Sequence, residues 1–141
     1  MDGMDKDKLV DLLNGDLELE FRSIVQYTQH LATVKGVEFQ PIAEMIGPHL
    51  RQELEHATVL AAQIDFLGGV PTTRVPDVPS ETEPERALTA DLELEERQLA
   101  GYRERFEQAE EIGLPDVAEA LRPLLEQTQD HVRELRSALG K

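Results

Sequence analysis

The pentamer Asp16-Leu17-Glu18-Leu19-Glu20 returns unchanged at Asp91 to Glu95, and the offset of 75 positions carries far more than the pentamer. Leu13 falls on Leu88, Arg22 on Arg97, Tyr27 on Tyr102, Glu44 on Glu119, Pro48 on Pro123, Gln52 on Gln127, His56 on His131 and Leu60 on Leu135, without a gap. So many matches at one fixed shift describe two copies of one unit related by a pseudo-two-fold, with equivalent residues facing each other across a core. A chain of 141 residues is long enough to bury one core and too short for two, so both copies serve one domain spanning residues 1–141.

Each unit reads as a helix hairpin. Apolar residues recur at helical spacing from Leu9 through Leu13, Leu17, Ile24 and Leu31 to Val34, with Gly36 placed as a stop. A second helix begins near Phe39, takes Pro41 in its first turn, and runs through Ile46, Leu60 and Ile64 to Gly68-Gly69. Prolines at 71, 76, 79 and 84 make residues 70–84 an extended crossover long enough to run the length of a bundle. A capping box, Ser80 with Glu83 or Thr82 with Glu85, is expected to open the third helix, which carries Leu88, Leu92, Leu99, Phe106 and Ile112. Gly113 to Asp116 is a tight break before the fourth helix, Val117 to Leu139, and kinks are expected at Pro48 and Pro123. The fold class is all-α: a four-helix bundle of two hairpins joined by one long crossover.

Composition narrows the function. Twenty-nine acidic residues against 14 basic give a net charge of −15, with no concentrated basic patch, so a nucleic-acid partner is excluded. No apolar run approaches the eighteen residues of a membrane span. There is no cysteine, and Met1 to Lys6 lacks the basic and apolar regions of a secretory signal, so a cytoplasmic location is expected.

The informative residues are polar ones on stripes that should be apolar. Helix one's stripe is Leu13, Leu17, Glu20, Ile24, Tyr27, Leu31, and helix three's is Leu88, Leu92, Glu95, Leu99, Tyr102, Phe106. Helix two presents Ile46, His49, Glu53, His56, Leu60, Ile64, and helix four Leu121, Leu124, Thr128, His131, Leu135, Leu139. Burying several carboxylates costs several kcal/mol apiece unless each is paired, protonated or metal-bound. No lysine or arginine shares these stripes, so a divalent transition metal gripped by Glu20, Glu53, His56, Glu95 and His131 neutralises them most simply. Glu53 and His56, three apart, point to one face and can hold the same ion. Each DLELE then delivers one inward glutamate, while Glu18 and Glu93 turn to solvent. A purely hydrogen-bonded polar layer is the competing reading. Tyr27 and Tyr102 either orient the carboxylates of the opposite hairpin, or donate an electron, or fill the core with a satisfied hydroxyl.

The stretches LNGDLELEFRSIVQY (13–27) and ELEHATVLAAQIDFLGGVP (53–71) resemble the first helix and the second-helix ligand motif of ferritin-like di-iron carboxylate proteins, most closely bacterioferritin. The resemblance runs from Leu9 to Leu139. It implies that Glu20, Glu53, His56, Glu95 and His131 ligate iron, with Tyr27 hydrogen-bonded behind them. It also implies a ferroxidase that oxidises Fe(II) with dioxygen or peroxide, in a protein that dimerises and often builds an iron-storing shell.

Three departures shape these expectations. Both the family and the internal repeat call for a glutamate at Thr128, so one bridging carboxylate is missing and a weakened or vacant second metal position is expected. Gln127 is the plausible substitute, and His49, one turn from Glu53, is either an added ligand or a capped core histidine. Leu54 stands where bacterioferritin carries its haem-ligating methionine, which argues against haem. Helix four ends at Gly140 with no short fifth helix, so a homodimer is expected before a closed cage, with a larger oligomer or cargo of a compartment as further outcomes. The metal set fits mononuclear or dinuclear iron, and manganese or zinc accept similar donors. The alternative function is a divalent-metal binding or iron-storage accessory protein without turnover.

Overall fold

The computed structural model describes residues 3–141; Met1 and Asp2 of the amino-terminal stretch read above lie outside the described residues. Four helices carry the chain: α1 (Lys6–Thr33), α2 (Gln40–Phe66), α3 (Pro84–Glu111) and α4 (Pro115–Ala138), with a single 3-10 turn at Val37–Phe39 between the first two. No strand occurs among the described residues. Asp5 caps α1 by accepting the Lys8 N–H at 2.8 Å, and Gly36 at φ 114° supplies the left-handed residue that turns the chain into α2. Pro41, Pro84 and Pro115 all sit in first turns, where a missing N–H costs nothing. Both Pro48 and Pro123 lie inside continuous helices at equivalent positions of the repeat.

The hairpins α1–α2 and α3–α4 pack within themselves, and across the bundle α1 lies beside α3 and α2 beside α4. Residues 67–83 run without regular structure along α1, and α1 holds them down. Asn14 bonds Val70 and Thr72, Glu18 accepts from Thr72 and from Arg74 at 2.7 Å, and Gln29 donates to Ser80 at 2.7 Å. Glu18 is therefore no free solvent-facing residue. It clamps the crossover, whereas Glu93, its equivalent in the half without a crossover, is exposed. The cap of α3 also differs from the expected box: the Glu83 carboxylate itself accepts the N–H groups of Glu85 and Arg86, leaving Ser80 to bind Gln29.

Two apolar layers fill the ends of the bundle. One gathers Leu9, Leu13, Leu17, Leu60, Ile64, Val117 and Leu121, the other Ile46, Leu88, Leu92, Val132 and Leu135. Each fully buried leucine or isoleucine contributes roughly 1.5–3 kcal/mol of transfer free energy, so the ends stabilise a polar middle. The expected stripes of α2 is buried throughout. On α1 and α3 the buried face is wider and turned toward their mutual seam: Leu31 is 39 % exposed and Ile24 and Phe106 only half-buried, while Ser23, Gln26, His30, Asp91, Gln98 and Arg105 are inside. Leu139 of α4 is likewise only half-buried.

Candidate metal centre

Mid-helix positions of all four helices converge between the two apolar layers. Glu20 from α1, Glu53 and His56 from α2, Glu95 from α3 and His131 from α4 are each at most 1 % exposed. Two groups of donors, each with its atoms within 4.8 Å of one another, share one member: Glu20, Glu53 and His56 form the first, and Glu53, Glu95 and His131 the second. His56 Nδ1 lies 3.4 Å from Glu20 and 3.5 Å from Glu53. His131 Nδ1 lies 3.0 Å from Glu53 and 3.2 Å from Glu95.

The surrounding contacts obey the repeat. Tyr27 donates to Glu95 at 2.9 Å, and Tyr102 donates to Glu20. Burial, and then the neighbouring carboxylates, push both phenols well above their ordinary pKa, so each stays a donor to the glutamate of the opposite hairpin. His56 Nε2 meets Gln127 Oε1 at 2.8 Å, and His131 Nε2 meets Gln52. An amide oxygen is an acceptor, so each imidazole donates through Nε2 and turns Nδ1 to the interior. Gln127, weighed above as a substitute ligand, thus stands behind His56 and fixes its tautomer. His49 is also a core histidine: its Nε2 sits 2.8 Å from Glu134, its ring stacks on His131 at 3.9 Å, and burial with the neighbouring His131 lowers its pKa. It belongs to neither donor group.

Three carboxylates in a dry space repel one another. Burial, and then the charges of Glu20 and Glu95, raise the Glu53 carboxyl well above its usual range. Burial opposes a charge on His56, but the Glu20 carboxylate 3.4 Å away prevails and raises its pKa. Protons thereby take up part of the compensation that a cation would give. They do not complete it: Glu20 Oε2, Glu53 Oε2, Glu95 Oε2 and His56 Nδ1 are buried without a hydrogen-bond partner. Four orphaned polar atoms spread over two donor groups that share Glu53 are costly unless a cation accepts them. This distinguishes the cluster from a satisfied polar layer.

A ferritin-like domain signature matches residues 10–141. The chain belongs to the ferritin-like family. A solved ferritin-like, di-iron carboxylate protein from Bacillus anthracis is 28 % identical, superposes with a TM-score of 0.90, and is covered over 96 % of its chain by 95 % of this one. No curated protein matches the sequence at a significant level.

Within this ferritin-like bundle, sequence reading missed a second polar seam between α1 and α3. Asp16 accepts from Arg105 Nε at 2.9 Å, and at the equivalent place Asp91 lies 2.8 Å from His30 and accepts from Gln26 at 2.9 Å. On the axis between them Gln98 donates to its own repeat mate, Ser23, at 2.9 Å. Each DLELE therefore delivers two inward carboxylates, an Asp and a Glu. Arg105, one position off the expected stripe, is inside as well, only 7 % exposed. The signal was available: the offset that pairs Asp16 with Asp91 also pairs His30 with Arg105. Gly101 occupies the place equivalent to Gln26, and a Cβ there would approach Asp16 Oδ1 to 3.2 Å, so the glycine leaves room for the broader guanidinium.

Thr128 occupies the place that the pseudo-two-fold gives to Glu53. It is 1 % exposed and its hydroxyl has no partner. Each donor group still has one histidine, one outer glutamate and the shared Glu53. The missing carboxylate therefore falls on the bridge, not on one metal position alone.

Proposed function

We propose that the chain is a bacterioferritin-like ferroxidase that takes Fe(II) as substrate at Glu20, Glu53, His56, Glu95 and His131 and oxidises it with dioxygen or peroxide. The observation that carries this reading is the convergence of four unpartnered buried lone-pair atoms, from three glutamates and one histidine, in two donor groups sharing Glu53. A donor set of three carboxylates and two imidazoles suits iron better than thiolate-seeking metals. When bound, iron would supply the one-electron redox steps of that reaction.

The chain's own residues prepare for that chemistry. Tyr102 and Tyr27 hold one oxygen each of Glu20 and Glu95, leaving the second oxygen of each unpartnered and aimed for a cation. Gln127 and Gln52 fix the imidazole tautomers so that Nδ1 presents a lone pair. Glu53 releases its proton as a cation enters, which couples uptake to proton release. The leucine layers above and below exclude bulk water.

The protein is read as a cytoplasmic homodimer paired through α1 and α2, where Val25, Leu31, Leu54 and Phe66 stand exposed at 45, 39, 50 and 68 %. No helix among the described residues is long and apolar enough to cross a membrane. A second reading, retention of divalent metal without turnover, is favoured by Thr128 alone.

The test is to add Fe(II) anaerobically, then admit oxygen while following oxygen uptake and ferric absorbance. Repeated additions should be oxidised at an undiminished rate in the wild type and at no more than the buffer rate in Glu20→Gln and Glu95→Gln. One stoichiometric turnover followed by silence would establish the storage or binding reading instead.

A further inference from the structure

The repeat defines what is absent at Thr128. Contacts across the bundle follow the offset pair by pair: Tyr27 to Glu95 with Tyr102 to Glu20, His56 to Gln127 with His131 to Gln52, and Asp91 to His30 with Asp16 to Arg105. The same operation carries Glu53, shared by both donor groups, onto Thr128. A threonine side chain ends at its γ atoms. What the site lacks relative to a glutamate is therefore the terminal carboxylate itself, one carbon and two oxygens, opposite Glu53.

Charge and hydrogen bonding identify what fits there. Glu20, Glu53 and Glu95 bring three negative charges, and two divalent ions would bring four positive ones, leaving an excess of one. His56 and His131 add no negative charge, since an imidazole that donates through Nε2 to a glutamine and gives Nδ1 to a metal carries none. Thr128 Oγ1 is buried and unpartnered, a donor waiting for an acceptor in a space where such groups are normally satisfied. No lone-pair donor besides these five residues belongs to either group.

Resting on the ferroxidase-type metal reading above, we infer that the place beside Thr128 is a binding site for a small exogenous monoanion of carboxylate type, which would complete the donor set in place of the missing glutamate and accept a hydrogen bond from the Thr128 hydroxyl. Formate has the composition of the missing group, and azide has its three-atom length and single charge. Metal occupancy and anion binding are then mutually linked: the second metal ion is held weakly alone and tightly once the anion is present. Hydrogen bonds to a charged acceptor are worth enough that losing the Thr128 donor weakens the anion roughly ten- to hundred-fold.

Cobalt(II), which reports its coordination by visible absorbance and is not consumed by oxidation under anaerobic conditions, is the probe. Wild-type protein is titrated with cobalt by calorimetry and absorbance, with and without sodium formate, alongside Thr128→Val and Thr128→Glu. The expected result in the wild type is one formate per chain, a changed cobalt spectrum, and at least a ten-fold tighter second cobalt when formate is present. Thr128→Val should keep the first cobalt and lose formate affinity ten-fold or more. Thr128→Glu should bind two cobalt ions tightly with no formate and show no formate response. Circular dichroism confirms that each variant is folded, and Thr128→Val carries the test alone should the added carboxylate unfold the apo-protein. A wild type that binds cobalt but shows no formate-dependent change in spectrum or affinity overturns the anion site and leaves the metal reading standing. Failure of wild type and Thr128→Glu alike to bind cobalt overturns both.

Discussion

Replacing Glu53 with glutamine should make the metal-free protein more stable and the metal-loaded protein less so. Glu53 is fully buried, and burial and the charges of Glu20 and Glu95 push its pKa up, so in the absence of metal it is a source of repulsion rather than cohesion. A carboxyl whose pKa is raised on folding costs the folded state free energy near neutral pH, so a neutral residue of the same shape removes that cost and is expected to stabilise by about 2 kcal/mol. For a domain of 141 residues, 1 kcal/mol moves the midpoint of thermal unfolding by about 3 °C, so the variant in chelator should melt about 6 °C higher. With metal at about a hundred times its dissociation constant the wild type gains about 2.7 kcal/mol per site, or about 8 °C, and the variant gains almost nothing because Glu53 belongs to both donor groups. The two proteins therefore exchange rank on adding metal. Differential scanning calorimetry in chelator and in excess anaerobic Fe(II) measures this directly. A Glu53→Gln protein that melts lower than wild type in chelator would show that the hydrogen bond between Glu53 and His131 outweighs the repulsion, and the inference from orphaned lone pairs would be refuted.

Other consequences are separable from this one. Gln127→Leu and Gln52→Leu leave every proposed ligand in place but free Nε2 of His56 or His131, so cobalt affinity should fall about 10- to 100-fold by calorimetric titration while helicity is unchanged. Burial raises Asp16 from 3.8 to about 6 against the lowering effect of Arg105. A raised carboxyl favours the protonated folded state, so this residue's contribution is full below pH 3.8 and lost as pH climbs through about 6. In Arg105→Leu the opposing guanidinium is gone and the loss extends above pH 6. Urea unfolding in chelator should therefore show a gap between wild type and variant that widens from pH 6 to pH 8, and a pH-independent gap would contradict the pairing. Leu54→Glu places a charge in the exposed α1–α2 face and should halve the mass seen by light scattering at micromolar concentration without altering cobalt binding.

The four helices, the crossover and the convergence of Glu20, Glu53, His56, Glu95 and His131 were legible because 3.6-residue periodicity and the 75-residue offset are both properties of a single chain read along its length. The same offset carries the environment of the site, which periodicity does not. Periodicity assigns each helix one apolar stripe, yet α1 and α3 each touch two neighbours, so Asp16, Ser23, His30, Asp91, Gln98 and Arg105 are buried one position away from the expected stripe. Their partners lie across the bundle on the other hairpin, and no spacing rule within one helix finds them. Glu18 was misjudged for a related reason: the crossover that covers it is itself irregular. The two polar systems now explain why DLELE is repeated as a unit. Its aspartate closes the α1–α3 seam with both oxygens partnered, and its glutamate faces the centre with one oxygen held by a tyrosine and the other unpartnered. One pentamer thus places a satisfied carboxylate and an unsatisfied one a single helical turn apart. The difference between them is the strongest physical reason to separate structural polarity from a metal site in this bundle.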